Sequence, residues 1–447
     1  MLPDAMACAA IPAGLARLRT RCPGGGGRGA MPGCMDGSAI MQNGFRVRRG
    51  RDMPRSIHIL LLLITLPMSA ASAQSGGARA ATRDAAGDES NGRLVIVGGG
   101  LSRTTEAVYR AILDGRRLDG PVCVIPTAGA DPDASTASAV AAFERWGGQG
   151  TAAGIPVSTA NPEAAHDAAV VRAIGECAAF YFTGGVQSRI VQVFRPDGRD
   201  TPALTALINR FRAGAVVAGS SAGAAVMSDP MIAGGSTTLS LQHGVEEDSD
   251  DADEGERGLV IERGVGFFPA AIVDQHFLAR GRIGRLITAV LDLDEFDLGF
   301  GIDENTALVV DGDSVRVAGE SGVIIVDESD ARRTGRSATN VRMHLLAPGD
   351  RFSTTDRRVT PAAGRYDLPA SSDSVAVPDD VFARWAFLHL LNQFAQSPQT
   401  TLTLPVPGGE VVLRKGPDFA ARSRGERGVQ GTPAGLSITG LLLDVKR

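Results

Sequence analysis

The run Ala215-Val216-Val217-Ala218-Gly219-Ser220-Ser221-Ala222-Gly223 is apolar and strand-like as far as Gly219, where it breaks into a Gly-x-Ser-x-Gly pentapeptide centred on Ser221. A buried strand that stops on glycine in this way predicts a sharp turn into a helix, with the serine hydroxyl exposed above the sheet edge. Gly219 and Gly223 leave room for the backbone to fold back, and Ala222, Ala224 and Ala225 keep the first helical turn slim against the strand. The pentapeptide also fits an ordinary strand-to-helix turn, so its meaning depends on its surroundings.

Upstream, Arg93-Leu94-Val95-Ile96-Val97 ends on Gly98-Gly99-Gly100 and is followed by a helical pattern around 105–113. Val122 to Thr127 repeats the strand theme, a helix follows around Ser135 to Trp146, and Ala178 to Phe182 ends on Thr183-Gly184-Gly185. Helices around Val191 and at 202–213 then lead back to the Ser221 strand. This alternation predicts an α/β fold with a mostly parallel sheet and helices on both faces. Sites in such sheets form outside the carboxyl ends of strands, so the three glycine-rich strand ends are expected to meet at the rim of one sheet. Downstream, Ala271 to Phe277 starts as a strand and leads into a helix start over 278–286; 298–304 and 307–310 are further strand-like pieces. The sheet is expected to close near residue 345, leaving 346–447 as a C-terminal extension, a small β-rich appendage. It would carry a helix from about Asp379 to Gln396 and a hairpin turning at Pro407-Gly408-Gly409.

The 447 residues are 43% hydrophobic and 21% charged, which describes a globular chain, and a formal net charge of −5 offers no basic surface for nucleic acid. Arg55, the apolar run Ile57 to Met68 and the small residues Ala71-Ser72-Ala73 have the layout of a signal peptide over 53–73. The apolar run is shorter than the roughly 20 residues of a membrane span, so the expectation is a periplasmic or secreted protein without a permanent membrane anchor. Residues 1–52 have no apolar period and read as an N-terminal extension outside the native fold, with 74–91 as a linker. Of the five cysteines only Cys123 and Cys177 follow the signal segment; export permits their disulfide, but their apolar settings favour free buried thiols. No metal-ligand spacing occurs, and neither a metal nor an organic cofactor is expected. Glu246 to Glu256 carries eight carboxylates and reads as a loop.

A serine hydroxyl becomes a useful nucleophile only beside a base, and the base must be oriented by a third group. Six histidines are present, and only His276 falls at a strand end. Asp303 and Glu304 end the next strand-like piece, so Ser221, His276 and either carboxylate could form a triad in that chain order. Acyl transfer also requires N–H groups aimed at an oxyanion. Ala222, which follows the serine, offers one, and Gly184 or Gly185 offers a second; Gly185 is the residue assigned.

Four motifs in this order resemble cyanophycinase and the related aspartyl dipeptidases of the serine peptidase S51 group, over about residues 92–345. They are Phe182-Thr183-Gly184-Gly185-x-Gln187, Gly219-x-Ser221-Ala222-Gly223-Ala224, Asp274-Gln275-His276-Phe277 with Arg280, Arg282 and Arg285, and Gly301-Ile302-Asp303-Glu304-x-Thr306-Ala307. The resemblance implies a flavodoxin-like α/β sandwich, related to class I glutamine amidotransferases, and a Ser-His-Glu triad of Ser221, His276 and Glu304. It places Gln187, Asp274, Gln275, Arg280, Arg282 and Arg285 in a substrate pocket, and it implies a homodimer. The implied substrate is cyanophycin, a poly-aspartate with an arginine on each side chain, released as β-Asp-Arg dipeptides. Val186 stands where such enzymes commonly carry an Asp. The acidic run 246–256 is expected near the cleft, attracting the arginines of the substrate. Small aspartyl dipeptides are the alternative substrate, and an inactive binding relic of the fold is the alternative of another class.

Overall fold

A computed structural model describes residues 92–246, 258–425 and 427–447. The expected extension 1–52, signal peptide 53–73 and linker 74–91 lie outside the described residues, as does most of the acidic run. Among the described residues no helix is long and apolar enough to cross a membrane.

The first half alternates as expected, with β3 and α3 in addition to the elements read from the sequence: β1 (Arg93–Val97), α1 (Glu106–Leu113), β2 (Val122–Ile125), α2 (Pro132–Gly147), β3 (Ala152–Gly154), α3 (Ala168–Gly175), β4 (Ala179–Phe182), α4 (Gln187–Phe194), α5 (Pro202–Arg212), β5 (Val216–Ser220) and the single turn α6 (Ala222–Ala225). After it come β6 (Met231–Gly234), α7 (Thr237–His243), β7 (Val245–Glu246), β8 (Leu259–Glu262), β9 (Ile272–Asp274), α8 (Ile283–Asp292), β10 (Leu298–Ile302), β11 (Thr306–Asp311), β12 (Ser314–Gly319) and β13 (Val323–Asp327). The chain continues through β14 (Arg332–Thr334), β15 (Ser337–Leu346), β16 (Arg351–Ser353), β17 (Val359–Thr360), β18 (Tyr366–Asp367), α9 (Ala386–Gln396), β19 (Thr401–Val406), β20 (Gly409–Ser423) and β21 (Ser437–Lys446).

Strands β3, β2, β4, β5 and β1 are parallel neighbours in one sheet, extended past β1 by antiparallel β11, β12, β16 and β17. The central strands are apolar on both sides because both faces are covered. Leu94, Ile96, Phe180, Phe182 and Val217 pack with Val193 and Phe194 of α4 and Leu204 and Leu207 of α5. Val95, Val97, Val124, Tyr181 and Val216 pack on the other face with Tyr109 of α1 and Phe143 of α2.

The expected single sheet is in fact two. Strands β9 and β10 run parallel to each other in a second sheet, ordered β18-β20-β21-β15-β13-β10-β9. The strand-like pieces at 298–304 and 307–310 therefore fall in different sheets, and the corner 303–305 carries the chain from one to the other. Nor does the sheet close near residue 345. β15 pairs with the C-terminal β21, Met343 opposite Leu441, and β21 pairs with β20. An unpaired β15 would leave an open edge, and α8, whose Leu286 and Val290 rest on Gly299 of β10, shares one hydrophobic core with Leu391 and Phe394 of α9 and with Leu413 and Leu443. The C-terminal region is thus built into both sheets, β16 and β17 at the edge of the first and β18, β20 and β21 in the second.

Two helices begin later than their patterns suggest. Residues 277–282 form turns around Gly281 (φ +59°), and α8 starts only at Ile283; α9 starts after Trp385, which is left-handed (φ 64°). Cys123 and Cys177 are not free thiols but form a disulfide with Cα atoms 5.9 Å apart. Cys177 lies just before β4, the parallel neighbour of β2, and this separation is within the range a disulfide spans.

Candidate active site

The parallel register places Ser220 opposite Val97 and Phe182 opposite Gly219, so the ends of β1, β4 and β5 lie side by side. Ser221 has φ 56° and ψ −112°, a conformation that L-residues rarely adopt. Its neighbours enforce it. The Ser221 N–H donates to the Val97 carbonyl at 3.1 Å, and its own carbonyl accepts from Ala224 (2.8 Å) and Ala225 (3.0 Å). A Cβ on Gly219 would stand 2.1 Å from the Gly223 carbonyl oxygen, and one on Gly223 would stand 2.4 Å from that of Phe182. Both pentapeptide glycines are required by close approach rather than by flexibility.

His276 follows β9 in the other sheet, and the triglycine end of β1 ties the two together. The His276 N–H donates to the Gly98 carbonyl at 2.6 Å, and the Asn305 N–H donates to that of Gly99 at 3.0 Å. The imidazole lies on Gly99, where a Cβ would come within 2.3 Å of Nε2. On this seat His276 Nε2 is 2.9 Å from Ser221 Oγ, and Nδ1 is 2.7 Å from Glu304 Oε1. Burial pulls the His276 pKa below its ordinary 6.5; Arg280 adds to this, and the bond to Glu304 opposes it. The ring is therefore neutral near pH 7. With Glu304 as acceptor the ring proton sits on Nδ1, which leaves the Nε2 lone pair facing the serine hydroxyl.

Of the two carboxylates left open by the residue pattern, only Glu304 meets the imidazole. Asp303 is fully buried, and its Oδ1 accepts from the N–H groups of Leu278 (3.1 Å) and Ala279 (2.9 Å) while Oδ2 accepts from Ser321 (2.5 Å). Burial pushes its pKa up to about 6. It holds the turn that follows His276.

The six expected pocket residues separate into two groups. Asp274, Arg282 and Arg285 are buried and paired. Arg285 makes a fork to Asp274 at 2.8 and 3.1 Å and also donates to the Gly235 carbonyl, and Arg282 donates to the Gln275 carbonyl at 2.8 Å, all of them buried. A charge so deep is stable only when paired. The Gln187 amide is turned onto the Ala233 carbonyl and ties α4 to β6. Gln275 Oε1 stands 3.5 Å from Ser221 Oγ, and Arg280 is exposed beside His276.

The backbone of Gly184 flanks the serine, since a Cβ there would lie 3.3 Å from Ser221 Cβ, and Gly185 (φ +145°) packs on Ala128. A cleft of about 240 Å³ opens next to Gly184, lined in part by Leu101, Arg103, Tyr181 and Thr183. Val186, the departure from the resembled pattern, is exposed at the start of α4. One neighbour had no sequence signal: Arg384, from the C-terminal region, lies with Nη2 3.7 Å from Glu304 Oε2. Among the described residues no group of three or more His, Cys, Asp or Glu side chains is placed to hold a metal.

The family model described as peptidase family S51 matches residues 94–318. A cyanophycinase of Nostoc sp. is 33% identical over 256 residues, covering 55% of this chain and 78% of the relative. A cyanophycinase of Geminocystis herdmanii is 37% identical over 192 residues, covering 40% of this chain and 64% of the relative. Among solved structures, a peptidase from an acI-B1 Actinobacterium superposes with a TM-score of 0.44 at 22% identity, over 59% of this chain and 96% of that one.

Proposed function

The chain belongs to peptidase family S51 and is a serine-type peptidase; from that premise we propose that it is an exported enzyme that hydrolyses cyanophycin to β-Asp-Arg dipeptides through an acyl-enzyme. The observation that carries this reading is the unbroken relay from Ser221 Oγ through His276 to Glu304, at 2.9 and 2.7 Å.

In this mechanism Ser221 Oγ attacks the scissile carbonyl and passes its proton to His276 Nε2. Glu304 holds the Nδ1 proton and stabilises the imidazolium that results. The N–H groups of Ala222 and Gly185 receive the tetrahedral oxyanion. His276 then gives its proton to the departing amine, and the ester to Ser221 remains. Water attacks that ester while His276 takes its proton, and collapse returns the proton to Ser221 Oγ with release of the dipeptide. A lowered His276 pKa suits a base that must be unprotonated at neutral pH.

Incubating the mature chain with purified cyanophycin and analysing the products by mass is the deciding experiment. Asp-Arg dipeptides from the wild type and none from Ser221→Ala are expected; intact polymer in both would refute the substrate, and equal turnover would refute the nucleophile. The strand order β3-β2-β4-β5-β1 supports reading the first sheet as flavodoxin-like, the fifth place being filled by the first strand of the chain. Export rests on the 53–73 segment, and recovery of a mature protein beginning near Gln74 outside the cytoplasm would test it.

A further inference from the structure

The segment that carries Arg384 lies beyond residue 318, where the match to the family model ends. It is clamped onto the turn after His276. The Trp385 N–H donates to the Leu278 carbonyl at 3.1 Å, and the Phe382 carbonyl is seated on Gly281 so closely that a Cβ there would come within 1.8 Å. Trp385 is 7% exposed and left-handed, and the Arg384 guanidinium lies over its ring, 5.7 Å from the centroid.

The arginine itself is not clamped. Its side chain is 67% exposed, and its 3.7 Å approach is to Glu304 Oε2, while His276 is bonded to the other oxygen. That distance is beyond a hydrogen bond, so the planar fork keeps donors turned to solvent at the mouth of the site. An exposed pair of this geometry contributes little to stability. A rigid mount thus presents a loosely engaged cation next to the relay, together with the exposed Arg280 from the turn beneath it. Such a group is suited to a carboxylate that arrives with the substrate.

We propose that Arg384 is a specificity-determining residue that binds a free carboxylate on the substrate, next to the scissile aspartyl bond. This rests on the peptidase reading above. In the proposed polymer the matching group is the carboxylate of the arginine, which stays free when that arginine is joined to an aspartate side chain through its amino group.

The test pairs two aspartyl-arginine oligomers, one with its arginine carboxylates free and one with them amidated, against wild type, Arg384→Gln and Arg384→Lys. With the free-carboxylate substrate, Arg384→Gln should raise KM about tenfold and leave kcat within about twofold, with Arg384→Lys in between. With the amidated substrate, Arg384→Gln and wild type should be alike. An equal fall in kcat on both substrates would mean that Arg384 acts through Glu304, and no change on either would make it a bystander; both overturn the proposal. As a check that needs no turnover, the Ser221→Ala protein should bind β-Asp-Arg about tenfold more weakly when Arg384→Gln is added. Wild type inactive on both oligomers would instead sink the substrate reading, a result distinct from an active wild type that is indifferent to Arg384.

Discussion

His276 shows how one side chain is made into a base. Burial in the seat above Gly99 and the nearby Arg280 both disfavour its charged form, and Glu304 partly restores it, with a net downward shift from 6.5. Because protonation removes the base, kcat/KM should persist as pH falls through 6.5 and decline only below it, as pH passes the lowered pKa. Arg280→Gln removes a cation and should move that acid limb to higher pH. A limb that moves lower, or stays in place, in a kcat/KM profile of the variant would contradict this account. The relay itself was legible as residue types at strand ends, and the pentapeptide glycines as turn chemistry. Spacing left Glu304 and Asp303 open, since both follow the same strand and only backbone direction decides which one turns to the imidazole; the family resemblance chose Glu304.

Among the elements, β9 and α8 illustrate how burial sorts the residues of one motif. Asp274, Arg282 and Arg285 occur in the expected pattern, yet the last residue of β9 faces inward and draws both arginines down with it. Sequence supplies the charges but not their depth. The prediction follows from burial: Asp274→Ala leaves Arg285 without its carboxylate and should cost about 3–5 kcal/mol of stability. Denaturant unfolding would measure this, and a variant of unchanged stability with a raised KM would return Asp274 to the pocket. The late starts of α8 and α9 have a similar origin. Gly281 and Trp385 are left-handed where the two segments touch, and helical periodicity carries no mark of a contact about a hundred residues away.

For the whole molecule, parallel strands announce themselves as apolar runs between helices, so β1, β2, β4 and β5 at the centre of the first sheet were readable, though its short end strands β3 and β17 were not. The second was not, because β15 and β21 are partners about a hundred residues apart and each alone reads as an ordinary hairpin arm. The C-terminal region pairs β15, shares a core with α8 and holds Asp292 at its end through Arg447, so a chain cut after residue 345 should fail to give a soluble, cooperatively melting peptidase. A truncated protein with a sharp thermal transition and wild-type turnover would show that region to be dispensable.

The seam between the sheets also makes the relay a gauge of how they meet. The serine oxygen rides on the end of β5 in the first sheet, the imidazole follows β9 of the second, and the acid stands at the corner between them, so any slip of one sheet against the other alters the 2.9 Å separation of Ser221 Oγ from His276 Nε2.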